Sequence, residues 1–218
     1  MKELIFSPSE FAFGYSGCKR CYYDLKNDNL RVSTAFPSIF SKLDRLQKEF
    51  YHDQNTDVLS ANIEPGKIKT DYEKLQKSET LKDKKGREFI LRGKIDAYID
   101  HRTFYSIIDF KVTDIDEKKI ELYKTQLLSY AIMFERPNEK CLKLTPIKNL
   151  GIFCFEPEKI QSVNDNPSFN MKTQYYPIQR DDDYLFNFIT EIIDFLQGPK
   201  PSFDEKCGLC NLKKNNFN

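Results

Sequence analysis

No run of apolar residues in this sequence approaches the roughly 18 that a membrane-spanning helix needs, so a transmembrane segment is excluded. The opening residues do not read as a secretory leader either. Met1-Lys2-Glu3-Leu4-Ile5-Phe6 reaches Ser7 and Glu10 before a long apolar stretch can form. These two absences predict a cytoplasmic protein. Charge of one sign is also missing. Lysine and arginine number 34, aspartate and glutamate 33, for a net charge of +1. That balance excludes a uniformly basic surface, so any contact with nucleic acid must be local. Internal repeats and low-complexity tracts are absent. Apolar residues make up only 39%, but aromatics contribute 14%, which separates the chain from disordered sequences. The 218 residues are ample for one domain with a real core.

Six cysteines are present. Without an export signal they belong in a reducing compartment, where a disulfide framework does not persist. Their spacing says more than their number. Cys18-Lys19-Arg20-Cys21 and Cys207-Gly208-Leu209-Cys210 are two C-x-x-C units, each placing two thiolates on one tight turn. Together they supply the four sulfurs that Zn²⁺ or an iron–sulfur cluster takes. Almost the whole chain separates the pairs. That excludes a zinc finger and predicts a metal staple joining the ends of a single domain, residues 1–218. Cys141 and Cys154 stand alone in apolar surroundings and read as buried hydrophobes.

Ser7-Pro8-Ser9-Glu10 reads as a helix start running toward Gly14 and Gly17 and delivering Cys18. Residues 36–52 carry Ile39, Phe40, Leu43, Leu46 and Phe50 at helical spacing. Residues 57–63 are a weaker strand. Segments 67–80 and 87–99 read as strands joined by a turn at 82–86, and TFYSIIDFKV, residues 103–112, as a central strand. Residues 117–134 are the clearest helix, with Ile120, Leu127, Leu128, Ala131 and Phe134 forming its apolar stripe. Strands follow at 149–155 and 172–179, with a loop at 157–170. Asp181-Asp182-Asp183 opens a helix through Leu196, which Gly198-Pro199 stops. The last residues, 213–218, are expected to fray. The order α, α, β, β, β, α, β, β, α predicts an α/β fold, a mixed central sheet flanked by helices.

Two acids interrupt apolar strands. Asp96 sits in Gly93-Lys94-Ile95-Asp96-Ala97, and Asp109 in Ile107-Ile108-Asp109-Phe110-Lys111. Carboxylates in central strands are costly unless paired or bound to metal. Asp109 and Lys111, two apart, project from one face. A hairpin turning near residues 101–103 places Asp96 opposite Asp109 or one step off, with Cβ atoms roughly 5 Å apart. Carboxylates that close repel each other, and a hard divalent cation relieves the repulsion. A lysine beside them can orient water or stabilise a developing negative charge. The pattern fits metal-assisted phosphodiester hydrolysis.

Gly93-x-x-Asp96, then Asp109-x-Lys111, then Gln126-x-x-x-Tyr130 resembles the PD-(D/E)XK nuclease superfamily, in its RecB-type exonuclease branch. The same ordered trio occurs in CRISPR-associated exonucleases that carry an iron–sulfur cluster. The resemblance implies a restriction-endonuclease-like fold and an Mg²⁺- or Mn²⁺-dependent nuclease. It implies that Asp96 and Asp109 are metal ligands, that Lys111 is catalytic, and that Gln126 and Tyr130 shape the site from the following helix. Gln126 and Tyr130 are i and i+4, so they share a helix face. Ser7-Pro8-Ser9 leading to Cys18-x-x-Cys21-Tyr22-Tyr23 resembles the opening of many RecB-type nucleases, and Cys207 and Cys210 follow the last helix as in cluster-bearing members.

Two features depart from that pattern. Phe40 stands where members often carry a histidine, while Asp44 fits the later acidic position. His52 lies about 18 Å further along the same helix and reads as a surface histidine. Members with a cluster commonly place one cysteine before the domain and three after it. The arrangement here is two and two, so a 4Fe–4S cluster and a Cys₄ zinc site both fit Cys18, Cys21, Cys207 and Cys210.

The resemblance implies DNA as partner, as single strands or ends, within repair, recombination or defence, with a protein complex as a candidate setting. Lys82, Lys84, Lys85 and Arg87, then Lys118, Lys119 and Lys124, are candidate phosphate contacts, and Tyr15, Tyr22 and Tyr23 candidate stacking residues. The bland alternative for each group is an ordinary surface. Phe40 motivates a second reading, a nucleic-acid-binding subunit with weak or no catalysis. A redox protein without nucleic acid leaves the ordered acid, lysine, glutamine and tyrosine series unexplained.

Overall fold

The computed structural model describes residues 3–30, 37–70, 74–114 and 116–216. Phe36, residues 71–73 of the expected strand, and the side chains of Lys118 and Lys119 lie outside the described residues.

The chain starts with β1 (Ile5–Phe6), α1 (Pro8–Glu10), a π-helical turn (Phe11–Tyr15), α2 (Lys19–Asn27) and α3 (Ser38–Tyr51). Four strands with short pairings follow: β2 (Lys67–Lys69), β3 (Gln76–Lys77), β4 (Leu81–Lys82) and β5 (Glu88–Gly93). Then come β6 (Ala97–Asp100), β7 (Tyr105–Val112), α4 (Glu117–Leu122) and α5 (Lys124–Glu135). The chain continues through β8 (Ile147–Val163), β9 (Asn166–Ile178), α6 (Asp182–Gln197) and α7 (Gly208–Asn216).

Five strands form the main sheet in the order β2-β6-β7-β8-β9. Among the described residues of this sheet, β7 and β8 are the parallel pair, and α4 and α5 make the crossover between them, as parallel neighbours require. A smaller sheet gathers β1, β3 and β4 around β5.

Alternation along β7 divides its side chains between two cores. Ile107 packs into the larger core with Leu127, Leu128 and Met133 of α5. Ile108 and Phe110 face the other way, into a core with Tyr51 of α3, Phe153 and Phe155. Asp109 therefore points with Ile107 toward α5. That helix has Leu127, Leu128, Ala131, Met133 and Phe134 all inaccessible to solvent. It is enclosed between sheet, α1 and α6 rather than amphipathic.

Several expectations are corrected. The expected strand 67–80 is in pieces, and β2 pairs with β6 while β3 pairs with β5. The expected strand 87–99 breaks between β5 and β6, which join different sheets. Residues 57–63 hold no strand: Thr56–Val58 forms a 3₁₀ turn, with Thr56 buried and its hydroxyl donating to the Glu64 carbonyl at 3.1 Å. The segment 157–170 is a paired ribbon extending β8 and β9, closed by Asn164 and Asp165. Both turn residues have positive φ, 50° and 61°, as a type I′ hairpin turn demands. The long helix at 117–134 is broken at Tyr123 into α4 and α5. Residues 19–27 and 208–216 are helical, so α7 runs on through residues 213–216 of the segment expected to fray.

Candidate active site and cysteine quartet

The hairpin register sets the carboxylates side by side. Ala97 pairs with Ile108, so the next step brings Asp96 to Asp109. Asp96 Oδ2 accepts the backbone N–H of Phe110 at 3.0 Å, which pins it to β7. Asp109 is only 2% exposed. Its Oδ1 accepts from Gln126 Nε2 at 2.9 Å, and the same nitrogen lies 3.2 Å from the Tyr130 hydroxyl. Its Oδ2 pairs with Lys111 Nζ at 2.6 Å. Gln126 Oε1 is buried without a hydrogen bond. The ordered residues Asp96, Asp109, Lys111, Gln126 and Tyr130 thus meet at one place.

Gly93 permits this assembly. A Cβ there would stand 3.0 Å from Pro8 and 3.4 Å from the Tyr130 ring. Its bare backbone lets α1 and α5 close over the end of β5.

Burial pushes the Asp109 carboxyl up to about 7, with Lys111 pulling it down and the Asp96 charge pushing it further up. Burial works against the charged form of Lys111, but Asp109 and Asp96 overcome it and raise the ammonium above its ordinary value. Burial also raises Tyr130 well above its ordinary value, helped by both carboxylates.

Lys48 carries no motif signal and is central to the geometry. It extends from α3 to Asp96 Oδ1 at 3.2 Å and to Asp44 Oδ2 at 2.9 Å. Asp44 is about half exposed and is linked to the pair through Lys48. His52 lies at the end of α3 against Asp53 and Thr70, away from Asp96. Phe40, one helical turn before Asp44, lines a groove that opens beside Lys111.

The donor set fits a hard divalent ion. Two carboxylates converge, and the amide oxygen of Gln126 stands nearby, buried without a hydrogen bond. Mg²⁺ is typically held by one or two carboxylates together with water and substrate phosphate, so no third protein acid is required.

A second constellation joins the chain ends. Cys18 and Cys21 stand at the start of α2, Cys207 and Cys210 at the start of α7. All four sulfurs lie within 4.8 Å of one another. Cys18 and Cys210 are 3.5 Å apart, Cys21 and Cys210 3.5 Å, Cys21 and Cys207 3.8 Å. Among the described residues, this is the group of three or more His, Cys, Asp or Glu arranged to share an ion. Burial opposes the Cys207 thiolate, but backbone N–H groups of Cys210 and Leu209 hold its thiol below the ordinary value.

Beneath the quartet lies an ion cluster for which only Arg20 and Asp24, four apart, give a sequence signal. Asp24, 2% exposed, receives Arg20 Nε at 3.0 Å, Lys200 Nζ at 3.0 Å and Lys213 Nζ at 3.1 Å. Burial alone would raise its carboxyl, but Lys200, Lys213 and Arg20 hold it below the usual carboxylate range.

The expected nucleic-acid contacts are redistributed. Arg87 pairs with Asp83 and Asp194, Lys85 with Asp194, and Lys84 with Asp183, so this cluster ties the β4–β5 turn to α6. Lys124 sits over the Tyr184 ring and beside Glu121. Tyr22 is buried and donates to Glu10, while Tyr15 and Tyr23 pack edge-on against Phe195. These three tyrosines build core rather than a stacking surface. Cys154 is buried as expected, whereas Cys141 is partly exposed and accepts the backbone N–H of Lys77 at 3.3 Å.

A family model described as the PD-(D/E)XK nuclease superfamily matches residues 27–214. A solved structure titled "Crystal structure of SSO0001" is similar over 98% of this chain and 86% of that one, with a TM-score of 0.52 and 16% identity. That likeness speaks to the fold alone. No curated protein matches the chain.

Proposed function

The chain belongs to the PD-(D/E)XK nuclease superfamily, and from that premise we propose that it is an Mg²⁺- or Mn²⁺-dependent deoxyribonuclease acting on single strands or DNA ends. The observation that carries this reading is the convergence of two carboxylates, Asp96 and the buried Asp109, with Lys111 and Gln126. A buried carboxylate set beside a second one is costly in a purely structural setting and useful in a metal site.

Asp96 and Asp109 would hold the divalent ion, which when bound polarises the phosphate and lowers the pKa of its water. The rest is the work of this chain's side chains. Gln126 fixes one Asp109 oxygen, and Lys111 pairs with the other. The Phe110 N–H orients Asp96, and Lys48 holds its second oxygen. Lys111 places a positive charge where water attacks and negative charge develops. Tyr130 closes the far side of Gln126 and excludes solvent. Ends and single strands arise in repair, recombination and defence, the settings we assign to it.

We further propose that the quartet holds one structural Zn²⁺. Thiolates at a Zn–S distance of about 2.3 Å in a tetrahedron stand about 3.8 Å apart, close to the spacings here. A 4Fe–4S cluster spreads its cysteines over separate irons. A colourless protein with one zinc per chain supports the zinc reading, and a brown one with iron and sulfide replaces it with the cluster.

The test of the activity uses labelled single-stranded DNA, duplex DNA and RNA with Mg²⁺ or Mn²⁺. Cleavage of DNA is expected, and Asp109→Ala or Lys111→Ala should lower it by about 10²-fold or more, with both variants still folded by thermal melting. Binding without cleavage under every divalent ion would instead make the chain a nucleic-acid-binding subunit of the same fold.

A further inference from the structure

The groove beside Lys111 has a volume of about 330 Å³ and is lined by Phe13, Phe40, Asp44, Phe110, Lys111 and Tyr123 among others. That is the lower end of the range for small-molecule sites, enough for one flat ring system and its sugar. Two of its aromatics face solvent. Phe13 is 63% exposed and Phe40 41%. They come from unrelated elements, the π-helical turn and the first turns of α3, and converge on a groove that contains the site lysine. Phe13 packs edge-on to Tyr123 with ring centroids 5.8 Å apart, and Lys111 Nζ lies 4.8 Å above that same Tyr123 ring. Phe40 and Asp44 share a helix face, so the Lys48-linked acid and the aromatic wall stand together.

The groove offers little charge. Among the residues that line it, Lys111 is the basic one, and the lysine-rich turn near Arg87 is occupied by α6. Recognition here rests on ring faces rather than on phosphate neutralisation. A base inside a duplex has both faces covered by its neighbours, so only an unpaired base can meet such a wall.

We propose that Phe13 and Phe40 form a stacking wall for the unpaired base next to the phosphate held at Lys111, and that this wall makes the protein prefer single-stranded nucleic acid. The proposal rests on the nuclease reading above and adds its substrate-selecting residues. The π-helical turn suits this role. Phe11 and Ala12 are buried on one side of Phe13 and Tyr15 packs on Phe188 on the other, so the exposed ring is carried on a backbone anchored at both ends.

The test places 2-aminopurine in a single-stranded oligodeoxynucleotide and follows its fluorescence with Ca²⁺ in place of the catalytic ion. Quenching on binding is expected, because the base stacks. Phe13→Leu and Phe40→Leu keep an apolar side chain but remove the ring, so folding is preserved. Each should abolish part of the quench and weaken single-strand binding about 5- to 150-fold. Phe13→Tyr and Phe40→Tyr should restore both, and cleavage by the leucine variants should show a higher KM with kcat little changed. If wild-type protein binds and cleaves single strands and the leucine variants match it in quench and KM, the wall is wrong and the nuclease reading stands. If the wild type prefers duplex, the proposal is also overturned. If it binds and cleaves no nucleic acid at all, the nuclease reading falls and the wall with it.

Discussion

Lys48 shows how a side chain with no motif can be required by one. Asp96 and Asp109 are adjacent, and Lys111 already engages Asp109. The second oxygen of Asp96 is left to Lys48, which Asp44 holds from the same helix face. Removing the ammonium frees Asp96 to rotate away from the metal position. Lys48→Met, which keeps the aliphatic stem, should lower metal affinity or cleavage about 10- to 100-fold, the usual cost of losing a group that orients a ligand. Mn²⁺ titrations of cleavage should show the loss as a higher half-saturating concentration. A variant with wild-type metal dependence would remove Lys48 from the site. Asp96 and Asp109 were legible because a carboxylate among Ile and Phe needs a reason. Lys48 was not, because a lysine four residues after an aspartate reads as an ordinary exposed pair until the fold brings Asp96 to it.

Among elements, legibility followed burial. β7 and α5 are enclosed and announced themselves through Ile107, Ile108, Leu127 and Leu128. The ribbon at 157–170 is exposed on both faces, with Ile160 and Phe169 more than half exposed, so no alternation of apolar and polar residues marks it. The Asn164-Asp165 turn closes it all the same. Between α2 and α7 the connection is ionic, through Asp24 to Arg20, Lys200 and Lys213. Lys213 is itself buried, so Asp24→Asn leaves a positive charge without its partner and should cost about 3–5 kcal/mol at neutral pH. The sign of the pH dependence follows from the carboxyl being held below its ordinary value. Asp24 stabilises the fold fully above the ordinary aspartate pKa of about 3.9 and loses that contribution as pH falls through the lower folded value. Urea unfolding should therefore separate wild type from Asp24→Asn widely near about pH 7 and progressively less below about pH 4. A gap that stays constant into acid would mean that the charge on Asp24 contributes nothing.

At the scale of the molecule, the near-zero net charge has a structural account. Basic residues of the β4–β5 turn are matched by acids of α6, and those of α2, α7 and the segment before α7 by Asp24 and Asp28, so charge is consumed in joining elements. The two C-x-x-C units told that the ends meet; they did not tell what the meeting positions. Phe13 lines the hollow around Cys18, Cys21 and Cys207 as well as the groove at Lys111. The quartet and the proposed stacking wall therefore share one turn of backbone, while Asp96 and Asp109 are held separately by β7 and α5. Losing the metal should act unevenly. Cys210→Ser should lower the melting temperature by about 5–10 °C, corresponding to about 2–3 kcal/mol in a chain of this size, and should make it insensitive to chelators that destabilise the wild type. It should also raise KM for single strands more than it lowers kcat, because the turn carrying Phe13 loosens while the carboxylates stay in register. Melting curves with and without chelator, paired with steady-state cleavage, check both parts. Equal melting of the two proteins would show that the quartet is not a metal staple, and a fall in kcat at constant KM would show that the staple supports the carboxylates instead of the wall.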